Sequence, residues 1–108
     1  MSALETFAKL LAQGRDNALL RYSLGNELHK AGRLEEAILH LGVAVTQDPR
    51  YSAAWKLLGK CLAEDAQAGA ALDAYRQGIA AAQARGDIQA AKEMQTFARR
   101  LEKQQAGG

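Results

Sequence analysis

A pattern of glycine, small residues and large apolar residues returns after 34 positions, and it restricts this chain more than any other feature. Gly25 and Gly59 stand 34 apart, as do Leu24 and Leu58, Leu28 and Leu62, Ala37 and Ala71, and Leu41 and Tyr75. One further step back puts Ala3 and Phe7 at the last two of these places. A fixed period in this range means that one supersecondary unit is repeated and that successive copies stack to bury a shared core. Within each copy the apolar residues recur three and four apart, which specifies two amphipathic helices per unit. A glycine inside a helix costs about 1 kcal/mol relative to alanine. Its presence twice at the same register implies a partner helix so close that a Cβ has no room.

Read in order, the chain predicts six helices. Ser2 with Glu5 three places on forms a capping box for the first, whose stripe is Leu4, Phe7, Leu10 and Leu11. Gly14 stops it, and Asp16 or Asn17 caps the next. The second helix, about 18–31, packs Leu20, Leu24 and Leu28 and ends at Gly32. The third, about 34–47, packs Ala37, Ile38, Leu41, Ala44 and Val45 and closes at Asp48-Pro49, where proline pushes the preceding residue out of the α region. The fourth, about 52–64, packs Trp55, Leu58 and Leu62. The fifth, about 69–85, packs Ala71, Leu72, Tyr75, Gly78 and Ile79. It has Ala66 where the first unit has its turn glycine, and Gln83 in place of Pro49, so it is expected to run longer. Gly86-Asp87 ends it and caps a last helix, about 88–103, with the stripe Ile88, Ala91, Met94, Ala98 and Leu101 and with Phe97 beside it. Residues 104–108 are expected to fray.

Abundant alanine, leucine and charged helix formers, few β-branched residues and a single proline leave no room for a sheet. The formal net charge of +2 is too mild and too dispersed for a nucleic-acid stripe. No apolar run is long enough to span a bilayer, and no basic segment followed by an apolar core marks a secretory signal. One cysteine, Cys61, excludes an internal disulfide and fits a reducing compartment. The expected location is cytoplasmic.

The repeated residues and their 34-residue spacing resemble the tetratricopeptide repeat family. The resemblance implies an all-α array of antiparallel helix pairs: a half-repeat at 2–14, repeats at 18–51 and 52–85, and a C-terminal cap helix at 87–103. It also implies a non-enzymatic interaction scaffold. In such folds the first helix of each pair lines a concave groove, which here places Leu19, Tyr22, Asn26 and His29 on one groove helix. Ala53, Lys56, Lys60 and Ala63 fall on the other. Asn26, Lys56 and Lys60 provide ammonium and amide donors suited to a carboxylate, so the expected partner is a protein or peptide, acidic or held by its C-terminus. Tyr22 and Lys60 stand where the family's chaperone-binding members have a lysine and an asparagine. The alternative is a structural module whose exposed array end stacks on a second copy to give a homodimer.

Catalysis finds little support. His29 and His40 fall on different helices, and no Cys, Asp or Glu joins them at a metal-ligand spacing, so neither metal nor cofactor is expected. Cys61 lies beside Leu62 on a packed helix, the setting of a structural thiol rather than a reactive one. Only a pocket joining His29 to Cys61, or an unexpected cofactor, would argue for an enzyme.

Overall fold

The boundaries of the helices are set by the residues that stand at them. The computed structural model describes residues 1–107 and folds them into α1 (Ala3–Ala12), α2 (Ala18–Lys30), α3 (Leu34–Gln47), α4 (Ser52–Glu64), α5 (Ala68–Ala84) and α6 (Ile88–Gly107). No strand occurs among the described residues. Ser2 Oγ accepts the Glu5 N–H at 3.1 Å and donates to Glu5 Oε1. Of the two candidate caps before α2, Asn17 does the work, accepting the Leu20 N–H at 2.8 Å. Asp87 Oδ1 accepts the Ala90 N–H at the start of α6.

Four helices end in the same left-handed turn. The second residue beyond the cap donates back to a carbonyl of the last turn: Arg15 to Leu10, Arg33 to Leu28, Gln67 to Leu62 and Asp87 to Ala82. This is the Schellman arrangement, which needs a positive φ at the residue before the donor. Gly14, Gly32 and Gly86 supply it, and at the third site Ala66 is held at φ 59° despite its Cβ. α3 ends otherwise: Asp48, ahead of Pro49, is extended.

The repeated glycines lie where the helices touch. A Cβ on Gly25 would stand 2.5 Å from Leu41 Cγ, and one on Gly59 would stand 2.6 Å from the Tyr75 ring. A third close approach is made by Gly78, whose Cβ would meet Met94 Sδ at 2.5 Å and Trp55 Cβ at 2.8 Å. Around these contacts α2 packs on α3, α4 on α5 and α5 on α6, and α3 joins α4 across the units. One apolar cluster runs from Leu28 and Leu41 through Leu58 and Leu62 to Ala74. A second joins Leu72 and Tyr75 to Met94 and Ala98. The resulting body is elongated, 45 × 31 × 19 Å.

The ends differ from the middle. α1 contributes no fully buried residue. It is secured partly by the loop that follows, where Asp16 accepts two hydrogen bonds from the Arg21 guanidinium and one from Gln47 Nε2 on α3. The hydrogen bonds from Arg21 and Gln47 hold the Asp16 carboxyl far below the usual carboxylate range. Arg21 also donates to His40 Nδ1 at 3.0 Å, and burial, then Arg21, lowers the tendency of that imidazole to protonate.

Two expectations need correction. α6 does not fray after Lys103 but continues to Gly107, because Gln104, Gln105 and Ala106 favour helix and nothing stops it; Gly108 lies outside the described residues. Ile88 is 66 % exposed instead of packed. It is the first residue of α6, and its side chain tilts back beyond the helix start, where no turn covers it. Trp55 and Ile79 pack as expected, from the edge of the core, and the indole Nε1 donates to Pro49 O at 2.8 Å. α5, with 17 residues against 14 in α3, is the longer helix as expected. No helix among the described residues is long and apolar enough to cross a membrane.

Candidate functional site

A row of side chains on α4, with single residues from α2, α5 and α6, lines a shared cleft of about 360 Å³. Tyr22 of α2 forms one wall, and its ring stands 5.0 Å from that of Tyr51 in a tilted contact. Ala53, Lys56, Leu57 and Lys60 of α4 form the floor. Tyr75 and Phe97, with ring centroids 5.7 Å apart, close the far side. The lining is mostly apolar, with two ammonium groups at its rim.

Those two lysines are not equivalent. Lys56 Nζ is paired with the Glu93 carboxylate of α6, and this hydrogen bond holds Glu93 below the usual carboxylate range. Lys60 is exposed and has no ion-pair partner among the described residues. An incoming anion therefore meets Lys60 directly but must compete with Glu93 for Lys56.

Of the eight residues expected on the groove face, Tyr22, Ala53, Lys56 and Lys60 line this one cleft. Asn26 is half-buried one turn along α2 from Tyr22. His29, nearer the end of α2, donates from Nε2 to Glu64 Oε2 of α4 at 2.6 Å. Leu19 lies apart, 66 % exposed beside a different hollow that Phe7, Leu10 and Ser23 share at the α1 end. Three lining residues were missed. Leu57 is four positions after Ala53 and three before Lys60, so helical spacing alone would place it on this face. Tyr75 was read as core, where most of it is. Phe97 carried no groove signal, because the register of α6 does not follow from the repeat.

The expectation that separated the histidines from any ligand partner is overturned in one respect. His29, Cys61 and Glu64 each offer a ligating atom, and these atoms lie within 4.8 Å of one another. Cys61 is fully buried, and burial, then the Glu64 charge, pushes its thiol up to about 11. A thiol held protonated in this way is not a ready nucleophile, so the cluster does not by itself make a catalytic site. Tyr75 lies near enough for burial, then Glu64 and Cys61, to push its phenol up to about 12.

Stacked antiparallel helix pairs with a cleft on the face of their first helices define a helical-repeat binding protein. The tetratricopeptide repeat family model matches residues 2–61, and the chain belongs to that family. It is 48 % identical over 100 residues to the TPR repeat-containing protein PA0015 of Pseudomonas aeruginosa, covering 93 % of this chain and 95 % of that protein. Among solved structures it is similar to BPP2914 of Bordetella parapertussis, with 43 % identity and a TM-score of 0.83, covering 98 % of this chain and 92 % of the other. It is also similar to YrrB, described as a TPR protein with an unusual peptide-binding site. That match has 25 % identity and a TM-score of 0.63, over 91 % of this chain and 58 % of YrrB. Proteins of this fold generally serve protein–protein interaction.

Proposed function

We propose that this protein is an interaction module that seats a short peptide, acidic or ending in a free carboxylate, in the cleft between Tyr22 and Phe97. The observation that carries this reading is the pairing of an aromatic-walled hollow with one uncommitted ammonium, that of Lys60. The volume, about 360 Å³, suits a few side chains rather than a whole domain. Apolar contact with Tyr22, Leu57 and Phe97 supplies affinity, and Lys60 fixes the carboxylate end. Lys56 joins it only when the ligand displaces Glu93, and Asn26 and His29 extend the same face along α2. The repeats are read as 18–51 and 52–85, between a half-repeat at 2–14 and a cap helix from residue 87. The free Cys61 fits a cytoplasmic location, and no cofactor is part of this reading.

Fluorescence anisotropy with labelled short peptides ending in acidic residues, free or amidated at the C-terminus, tests it. Lys60→Glu should weaken binding about tenfold, or about 1.4 kcal/mol. Tyr22→Ala should weaken it without changing its salt dependence. Equal binding by wild type and folded Lys60→Glu would remove the cleft from consideration.

A second reading has its own observation, the exposed Leu19 beside Phe7 and Leu10 at the α1 end. A second copy stacked there would give a homodimer. Sedimentation of wild type and Leu19→Arg decides it, since the change lies on an exposed position: a dimer lost in the variant supports stacking, and a monomer in both dismisses it.

A further inference from the structure

We propose that His29, Cys61 and Glu64 form a binding site for a divalent cation of borderline softness, zinc being the first choice. The three side chains come from two different helices. Cys61 and Glu64 are three apart on α4, so they share a face, and His29 reaches them from α2. Their ligating atoms already converge within 4.8 Å, and His29 Nε2 and Glu64 Oε2 are 2.6 Å apart. Tetrahedral zinc with bonds of about 2.0 Å to nitrogen and oxygen and about 2.3 Å to sulfur needs donors separated by roughly 3.3–3.6 Å. The histidine–carboxylate contact has to open slightly and the thiol has to move in slightly, changes within reach of side-chain torsions.

The donor set selects the ion. Imidazole and thiolate favour zinc over magnesium or calcium, which prefer oxygen alone. A thiolate, a carboxylate and a neutral imidazole carry two negative charges, which balance those of the ion. Three protein donors leave a fourth tetrahedral position for water on the side where the Glu64 side chain is 45 % exposed. The buried thiol on the inner side and the half-exposed carboxylate on the outer side give the ion a path in.

The ion would strengthen a direct link that the fold makes only weakly, through the His29–Glu64 contact. α2 and α4 touch each other only slightly, being joined chiefly through α3. A cation held by His29 on one and by Cys61 and Glu64 on the other would fasten the two helices directly at their C-terminal ends. Because those helices also carry Tyr22 and Lys60, the ion would fix the width of the cleft.

The test uses the full, untagged chain, reduced and freed of metal with a chelator. Cobalt(II) titration should produce a thiolate-to-cobalt charge-transfer band and visible bands of tetrahedral intensity, saturating at one equivalent and abolished by zinc. Cys61→Ser should lose the charge-transfer band. Because that change lies in the core, His29→Gln and Glu64→Gln provide the independent arm. Each should stay folded by circular dichroism and bind zinc roughly tenfold or more weakly, while His40→Gln binds as wild type does. Zinc should raise the unfolding temperature of wild type and not of His29→Gln. Absence of the charge-transfer band in folded, reduced wild type would overturn the proposal. So would zinc affinity unchanged in folded His29→Gln and Glu64→Gln.

Discussion

The helix pairs α2/α3 and α4/α5 follow one plan, and their differences show which parts of it are fixed. Both bring a glycine of the first helix against a large side chain of the second, Gly25 on Leu41 and Gly59 on Tyr75. Both close their first helix with the same left-handed turn, one through Gly32 and the other through Ala66. Backbone approach and turn geometry are retained, whereas the side chains filling them vary. On the face of the first helices the two part company: α2 presents Tyr22 and Asn26, and α4 presents Lys56 and Lys60. Tyr75 serves both purposes, packing on Gly59 and closing the cleft, but the polar chemistry of the cleft comes from residues that take no part in setting the spacing of the array.

The largest effect should come from removing the large partner in each contact. Leu41→Ala should cost about 3 kcal/mol and Tyr75→Ala about 4 kcal/mol in urea unfolding. A loss confined to one of them would mean that the two pairs do not share a core. Next in size is Gly59→Ala, whose Cβ meets the buried Tyr75 ring and should destabilise by about 1–2 kcal/mol despite the gain in helix propensity. Gly42→Ala is its counterpart, with nothing within 4 Å, and should stabilise by up to about 1 kcal/mol. The turns give the third comparison. Ala66→Gly should relieve a left-handed alanine and stabilise by about 1 kcal/mol, and Gly32→Ala should do the reverse.

The smallest effect concerns acid. The carboxyl of Asp16 and the imidazole of His40 both titrate lower in the folded chain than in the unfolded one. The unfolded chain thus binds more protons, and stability declines as the pH is lowered. The share of His40 is present above its ordinary value of 6.5 and declines below it; that of Asp16 is present above 3.8 and declines below that. Urea midpoints measured from neutral to acid pH should show both steps, and Asp16→Asn should flatten the second.

Much of the fold could be read from the repeat alone. Gly25 and Gly59 announced the close approaches, Gly32 and Gly86 the turns, and Asp48-Pro49 the end of α3. The helix stripes placed Leu24, Leu41, Leu58 and Met94 inside. The cleft was half legible. Tyr22, Lys56 and Lys60 follow from the face opposite the packed stripe, but Phe97 and Glu93 come from α6, whose rotation no repeated residue fixes. The meeting of His29 with Cys61 and Glu64 was hidden for another reason. Spacing within one helix relates Cys61 to Glu64, but contact with His29 depends on how two helices are set across a third. Its one trace was register, since His29 falls 34 positions before Ala63, the neighbour of Glu64.

The chain has a single tryptophan, Trp55, hydrogen-bonded to the Pro49 carbonyl and lying against Gly78. It is a natural optical probe of one part of the array, the junction of α4 and α5. In a stack whose units touch only their neighbours, the outer helices can open while the centre stays closed. Fluorescence of this indole would then report the later event, and the far-ultraviolet dichroism of all six helices the sum. A gap between the two curves would measure how independently the N-terminal helices melt.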